Sequence, residues 1–177
     1  IFTVEDLKLN KNKYAYFSLH YEPEASTVPM GENFYDQYLA ILAIRKWLPK
    51  NVKLFIKEHP GQFFTNHSKG YTGRSQYFYD SLNKINGIYF LSNSLNSTEI
   101  TKHSLLIASI TGIVSLEAAL LGKKAIYFGK PWYQGLPNTF KWTKKLSFTK
   151  IIKSKLVDKK KIEAFLLEYY KNYSYPA

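Results

Sequence analysis

Short apolar runs that alternate with stretches of helical periodicity constrain this chain more tightly than any other feature. Five of them read as strands: "KYAYFSL" (13–19), "NVKLFIKE" (51–58), "GIYFLSN" (87–93), "SLLIASI" (104–110) and "KKAIYFG" (123–129). Between them lie helices or long loops, not tight hairpin turns. From Asn33, which can cap a helix, Tyr35, Tyr38, Leu39 and Leu42 follow helical spacing until Pro49 stops it. "GRSQYFYDSLNKI" (73–85) reads as a helix, "STEITKH" (97–103) as a short capped one, and "GIVSLEAALLG" (112–122) as one closed by Gly122. A loop runs from Trp132 to Trp142, and helical segments follow. The last is capped by Asp158 and carries a stripe of Ile162, Phe165, Leu166 and Tyr169. Strands separated by helices return in the same direction through right-handed crossovers. The expected fold is therefore α/β: a Rossmann-like, doubly wound parallel sheet of about five to six strands with helices on both faces.

A chain of 177 residues suits one domain with a real core, and no repeat, linker or low-complexity tract divides residues 1–177. Cysteine is absent, which removes disulfides and thiolate chemistry and suits a cytoplasmic protein. No apolar stretch is long enough to cross a bilayer, and no signal peptide is visible. The sequence opens at Ile1 without an initiator methionine, so a piece of a longer protein is expected. Its 25 Lys+Arg against 13 Asp+Glu give a net charge of +12, which favours anionic partners. Most of the excess is lysine, and a solvated surface shaped by AT-rich coding explains it equally well.

The chemistry gathers where strands end. Ligands of open parallel sheets bind outside the carboxyl ends of the strands, and the second run ends there in His59-Pro60-Gly61. Pro60 holds His59 extended, and Gly61 lets the chain turn or approach a ligand closely. A histidine that only bonds a neighbouring loop is the plainer alternative. The fourth run ends in "SITG", where Thr111 is expected to cap the following helix and Gly112 to leave its first N–H groups open to a phosphate. Glu117 falls inside the apolar arc of that helix, where a carboxylate needs a partner: ligand hydroxyls, or a donor within the protein. His20, Glu22 and Glu24 follow the first run and are candidates for acid–base work, although Pro23 and Pro29 also suit a rigid turn. Trp132 and Tyr133 look exposed and can floor a base or sugar, or cover the core. His67 and His103 lack metal-ligand spacing, and no metal is expected.

Taken together, "YFSLHYEPEAST", "KEHPG", Arg74 ahead of "YFYDSL", and "ITGIVSLEAALLGKKAIYFGKPWY" resemble the capsule and surface polysaccharide biosynthesis proteins, relatives of the bacterial Kdo transferases and polysialyltransferases. The resemblance covers roughly residues 13 to 135. It implies a GT-B glycosyltransferase of two Rossmann-like domains, of which this chain resembles the C-terminal, donor-binding one. On that resemblance His59-Pro60 and Thr111-Gly112 contact the donor phosphate, and Glu117, Arg74 and Trp132 serve its ribose and base. The donor implied is a nucleotide-sugar, most simply a CMP-activated acidic sugar, with no metal or other cofactor. The acceptor would be a glycan or glycolipid. An N-terminal domain, expected to be missing here, would supply the general base, so the fragment alone should bind donor without turnover. UDP-N-acetylglucosamine 2-epimerases share the layout, but their "HRREN"-type loop and Asp-Ser-Gly-Gly run do not match His20–Glu24 and "ITGI". A non-catalytic basic module on anionic lipid or nucleic acid is a further alternative, yet no nucleic-acid-binding motif is present and no nucleic acid is expected. The lysines from Lys141 to Lys161, interleaved with Trp142, Leu146 and Phe148, suggest a peripheral contact with the inner membrane face.

Overall fold

The computed structural model describes residues 3–11, 13–63 and 73–173. Its strands are β1 (Tyr14–Ser18), β2 (Lys53–Lys57), β3 (Ile88–Phe90), β4 (Leu106–Ser109), β5 (Lys124–Tyr127) and β6 (Thr139–Lys141). They form one parallel sheet in the order β3-β2-β1-β4-β5-β6. The helices are α1 (Val4–Leu9), α2 (Gln37–Trp47), α3 (Gln76–Asn83), α4 (Ser97–His103), α5 (Val114–Leu120), α6 (Phe148–Lys153) and α7 (Lys159–Tyr173). This is the doubly wound Rossmann-like order, with the direction of winding reversing between β1 and β4.

Strand residues alternate between two cores because successive side chains point to opposite faces. Ala15, Phe17, Leu54, Ile56 and Ala108 pack in one cluster with Ile41 and Ile44 of α2, Leu82 of α3 and Ile151 of α6. Tyr14, Tyr16, Phe55 and Ile107 pack in the other with Leu7 of α1, Ile100 of α4, and Val114 and Ala118 of α5. A third cluster seats Ile162 of α7 against Leu116 and Ala119 of α5, with Phe165 and Leu166 beside it. The predicted stripe on the last helix thus packs, and Asp158 caps it by accepting from the Lys161 N–H at 3.0 Å. Gly122 closes α5 at a φ of 69°, a conformation that costs a glycine little.

Two local expectations give way, and one helix appears that was not anticipated. The segment expected as a loop after Trp132 contains β6, whose three residues are too few to show a periodicity. The helix not anticipated is α1, ahead of β1, fixed by a capping box between Thr3 and Asp6. Asp36, not Asn33, caps α2, accepting from the Tyr38 N–H at 2.9 Å. The buried face of α2 is Gln37, Ala40, Ile41 and Ile44, whereas Tyr35 and Leu39 are exposed. Aromatic and leucine side chains sit on both faces of this segment, so spacing alone does not choose between them.

Candidate functional site

Strands β1, β2 and β4 end side by side, and the loops that leave them enclose a cleft of about 450 Å³. His20, Glu24, His59, Pro60, Thr111, Gly112, Glu117 and Trp132 all line it. Eight of the residues singled out by sequence therefore share one cavity at the point where the sheet reverses its winding. Glu22 and Arg74 are not among its lining residues.

His20 is buried and ties two loops together. Its Nε2 accepts from the Thr111 N–H at 3.1 Å, and its Nδ1 lies 3.2 Å from Ser26 Oγ, which donates to Glu24 at 2.6 Å. These bonds fit a neutral ring with its proton on Nδ1, and a second proton on Nε2 would face the Thr111 N–H. Burial pushes the pKa of His20 down to about 4, against the pull of Glu24. Gly112 keeps the loop close: a β-carbon there would stand 3.3 Å from the His20 ring. The Thr111 hydroxyl donates to the Ser26 carbonyl at 2.7 Å and does not cap α5, which begins after Ile113 without a side-chain cap. The expectation of a threonine cap is corrected accordingly.

His59 is exposed at the cleft mouth. Its Nδ1 accepts from the Gly61 N–H at 3.1 Å as Pro60–Phe63 turns in a 3-10 helix, so a neutral His59 carries its proton on Nε2. Behind it stands a buried ionic brace. Glu58 accepts from the His59 N–H at 2.8 Å, from Tyr79 at 2.7 Å and from Arg74 Nε at 3.0 Å. Arg74 also binds Glu22, the His20 carbonyl at 2.8 Å and the Gly73 carbonyl at 3.1 Å. Its side chain is only 2% exposed and its five N–H groups all have acceptors inside the protein. The expected contact of Arg74 with ribose or base has no donor left to make it; Arg74 joins the loops after β1 and β2 instead. Glu22 lies in the same brace, also held by Gln37 at 2.7 Å. Burial raises its pKa despite the neighbouring guanidinium.

Glu117 reaches the cleft by a different route from the one expected. It is exposed, on the face of α5 opposite its packed alanines, so no burial cost demands a partner. Trp132 is 51% exposed and rests on Tyr169 of α7, with ring centroids 5.4 Å apart. Tyr133 is fully buried instead, and its hydroxyl donates to the Gly112 carbonyl at 2.5 Å. Sequence reasoning passed over Glu58, Gln37 and Gln62, which position the site. Gln62 accepts from the Glu22 N–H and donates to the Glu22 carbonyl, both at 2.9 Å. Nothing local marks such long-range partners. Among the described residues no group of three His, Cys, Asp or Glu side chains is placed to hold a metal ion. His67 lies outside the described residues.

Known proteins share this fold in part. In sequence, no curated protein matches. Among solved structures, Thermosulfurimonas dismutans KpsC, described as a beta Kdo 2,7 transferase, superimposes with a TM-score of 0.56 at 17% identity, over 84% of this chain and 48% of that one. A second KpsC from that organism, a beta Kdo 2,4 transferase, gives a TM-score of 0.50 at 18% identity, over 80% of this chain and 42% of that one. Neisseria meningitidis UDP-GlcNAc 2-epimerase bound to UDP-GlcNAc gives 0.46 at 20% identity, over 93% of this chain and 38% of that one. The chain thus spans less than half the length of each, and at these identities the likeness is one of fold. The family model for capsule polysaccharide biosynthesis proteins matches residues 26–171, from the loop after β1 into α7, and this chain belongs to that family.

Proposed function

We propose that this chain is the donor-binding domain of a glycosyltransferase in capsule polysaccharide biosynthesis, and that its donor is a nucleotide-activated sugar, most simply a CMP-linked acidic one. The observation that carries this reading is the meeting of His59, Thr111-Gly112 and Glu117 in one cleft at the reversal point of a parallel sheet. In the proposed mode the His59 Nε2–H, aimed by Gly61 and by the brace behind it, donates to the donor phosphate. Glu117 accepts from the ribose hydroxyls, and Trp132 covers the sugar or base. During transfer, charge builds on the departing nucleotide, and a donor fixed at His59 stabilises it without reorganisation. His20, Glu22 and Glu24 bond to other groups of this chain and serve here as supports. The general base and the glycan or glycolipid acceptor belong to a second domain that closes the cleft, as the family resemblance implies. The protein works at the inner membrane face, where its lysines meet anionic lipid.

Thermal unfolding with CMP, CDP, UDP and GDP tests the reading. A nucleotide at about 100 times its dissociation constant stabilises by about 2.7 kcal/mol, a shift of several degrees in a domain of this size. At least one of the four should produce that shift with the wild type, and His59→Ala should remove most of it while unfolding at the wild-type midpoint without ligand. No shift with any nucleotide would overturn the proposal.

A further inference from the structure

Lys57 ends β2 and is the register partner of Ser18 on β1. Partners in a parallel pair project to the same face, so Lys57 and Ser18 continue the column that Phe55 and Tyr16 begin, on the side covered by α4 and α5. Lys57 is 4% exposed, and its Nζ donates to Ser97 Oγ at 3.0 Å. Ser18 and Ser97 line the same cleft as His59 and Glu117, which puts the lysine amine one hydroxyl behind its wall. The buried phenol of Tyr16 interacts with both serines. An ammonium carries three donors, and Ser97 takes one. No ion pair links Lys57 to a carboxylate among the described residues. A buried, unpaired ammonium is costly, and burial lowers the pKa of Lys57 accordingly. The Glu117 carboxylate acts on the Tyr16 phenol from the same cleft but makes no ion pair with Lys57, and an anion in that cleft would meet the ammonium through Ser97, which lines it.

We infer that Lys57, Ser97 and Ser18 form an oxyanion subsite that receives the anionic group of the donor lying beyond its first phosphate. This rests on the donor-binding reading and deepens it. Two groups carry the required chemistry: the carboxylate of an acidic sugar, and the second phosphate of a diphosphate-linked one. The subsite would then decide which donor class the cleft accepts, while His59 and Glu117 hold the part that all such donors share.

Calorimetric titration of the full chain separates these cases, using CMP, UDP, CMP-N-acetylneuraminic acid and UDP-N-acetylglucosamine on the wild type, Lys57→Gln and Lys57→Met. A charge-assisted hydrogen bond corresponds to a loss on the order of ten- to a hundred-fold in affinity. Both variants should show that loss with the ligands that carry the further anion and wild-type affinity for CMP, whose single phosphate stays at His59. Loss with CMP-N-acetylneuraminic acid alone assigns the subsite to a sugar carboxylate; loss with both UDP ligands assigns it to a second phosphate. An equal loss with all four, or none with any, overturns the inference while leaving the donor reading intact. A wild type that binds none of the four ends both. Lys57→Met removes an unpaired buried charge and should unfold at or above the wild-type midpoint. A large drop would mean that the ammonium is already satisfied within the protein, and would also overturn the inference.

Discussion

His20 and His59 leave neighbouring strands at the same sheet edge, and burial gives them opposite work. His59 is exposed and lines the cleft, and among the described residues only its Nδ1 is bonded within the chain, whereas both nitrogens of His20 are engaged inside the protein. The depressed pKa of His20, about 4 against 6.5, makes it a stability element with a definite sign. Its contribution is fully present above pH 6.5 and is lost as pH falls toward 4, because the unfolded chain then binds the proton more readily. Urea unfolding at pH 7 and pH 4.5 should therefore differ by about 2 kcal/mol more in the wild type than in His20→Gln; an identical difference in both would show that the strut does not govern acid stability. Sequence alone placed both histidines at the edge through strand endings, but it had no means to see which would be enclosed. Glu117 teaches the converse. Its place in the cleft was anticipated from a supposed packing arc, yet Ile113, part of that arc, is itself 58% exposed, and the carboxylate stands in the cavity with no burial cost to meet.

At the scale of elements, the legible ones were those whose signal is local. Strands buried on both faces read as plain apolar runs, and α4, α5 and α7 carried their own caps or stops. β6 was not legible because it exists by pairing with β5, and the inward face of α2 was not because both faces are apolar. Equally hidden was the device that fixes the loops after β1 and β2 relative to each other: Arg74, which enters ahead of α3 and crosses to Glu22 and Glu58. Breaking a buried pair from one side strands the other charge, at a cost of about 3–5 kcal/mol. Arg74→Ala should lose stability of that order in chemical denaturation, and Glu58→Gln in the same background should recover part of it by removing one stranded charge. If Arg74→Ala unfolds within about 0.5 kcal/mol of the wild type, the range of an ordinary surface change, the brace does not hold the edge together.

Over the whole molecule, charge and core are arranged in a way that composition alone left ambiguous. Between Lys141 and Lys161 all nine lysines are exposed, against the single acid Asp158. Leu156 is exposed, but Trp142, Leu146 and Phe148 pack against the core: Trp142 stacks on Phe128 at 4.9 Å, Phe148 meets Trp47 at 5.2 Å, and the Leu146 carbonyl accepts from the Trp47 indole at 2.7 Å. No helix among the described residues is long and apolar enough to cross a membrane. A contact between this surface and a bilayer would therefore be electrostatic, carried by the lysines, as the sequence pattern suggested. Each lysine near an anionic surface contributes about 1 kcal/mol, and the attraction fades within a Debye length of about 10 Å at 0.1 M salt. Lys141 and Lys159 already face Glu32 and Glu163, which leaves Lys144, Lys145, Lys150 and Lys153 as the test set. Sedimentation with vesicles rich in anionic lipid should carry the protein down at low salt, and neutral vesicles should not. Raising the salt several-fold should release it, and changing those four lysines to glutamine should weaken binding more than ten-fold without lowering the unfolding midpoint. Binding that resists salt would mean that an apolar surface makes the contact, and equal partitioning into neutral vesicles, or none into either, would remove the membrane from the account altogether.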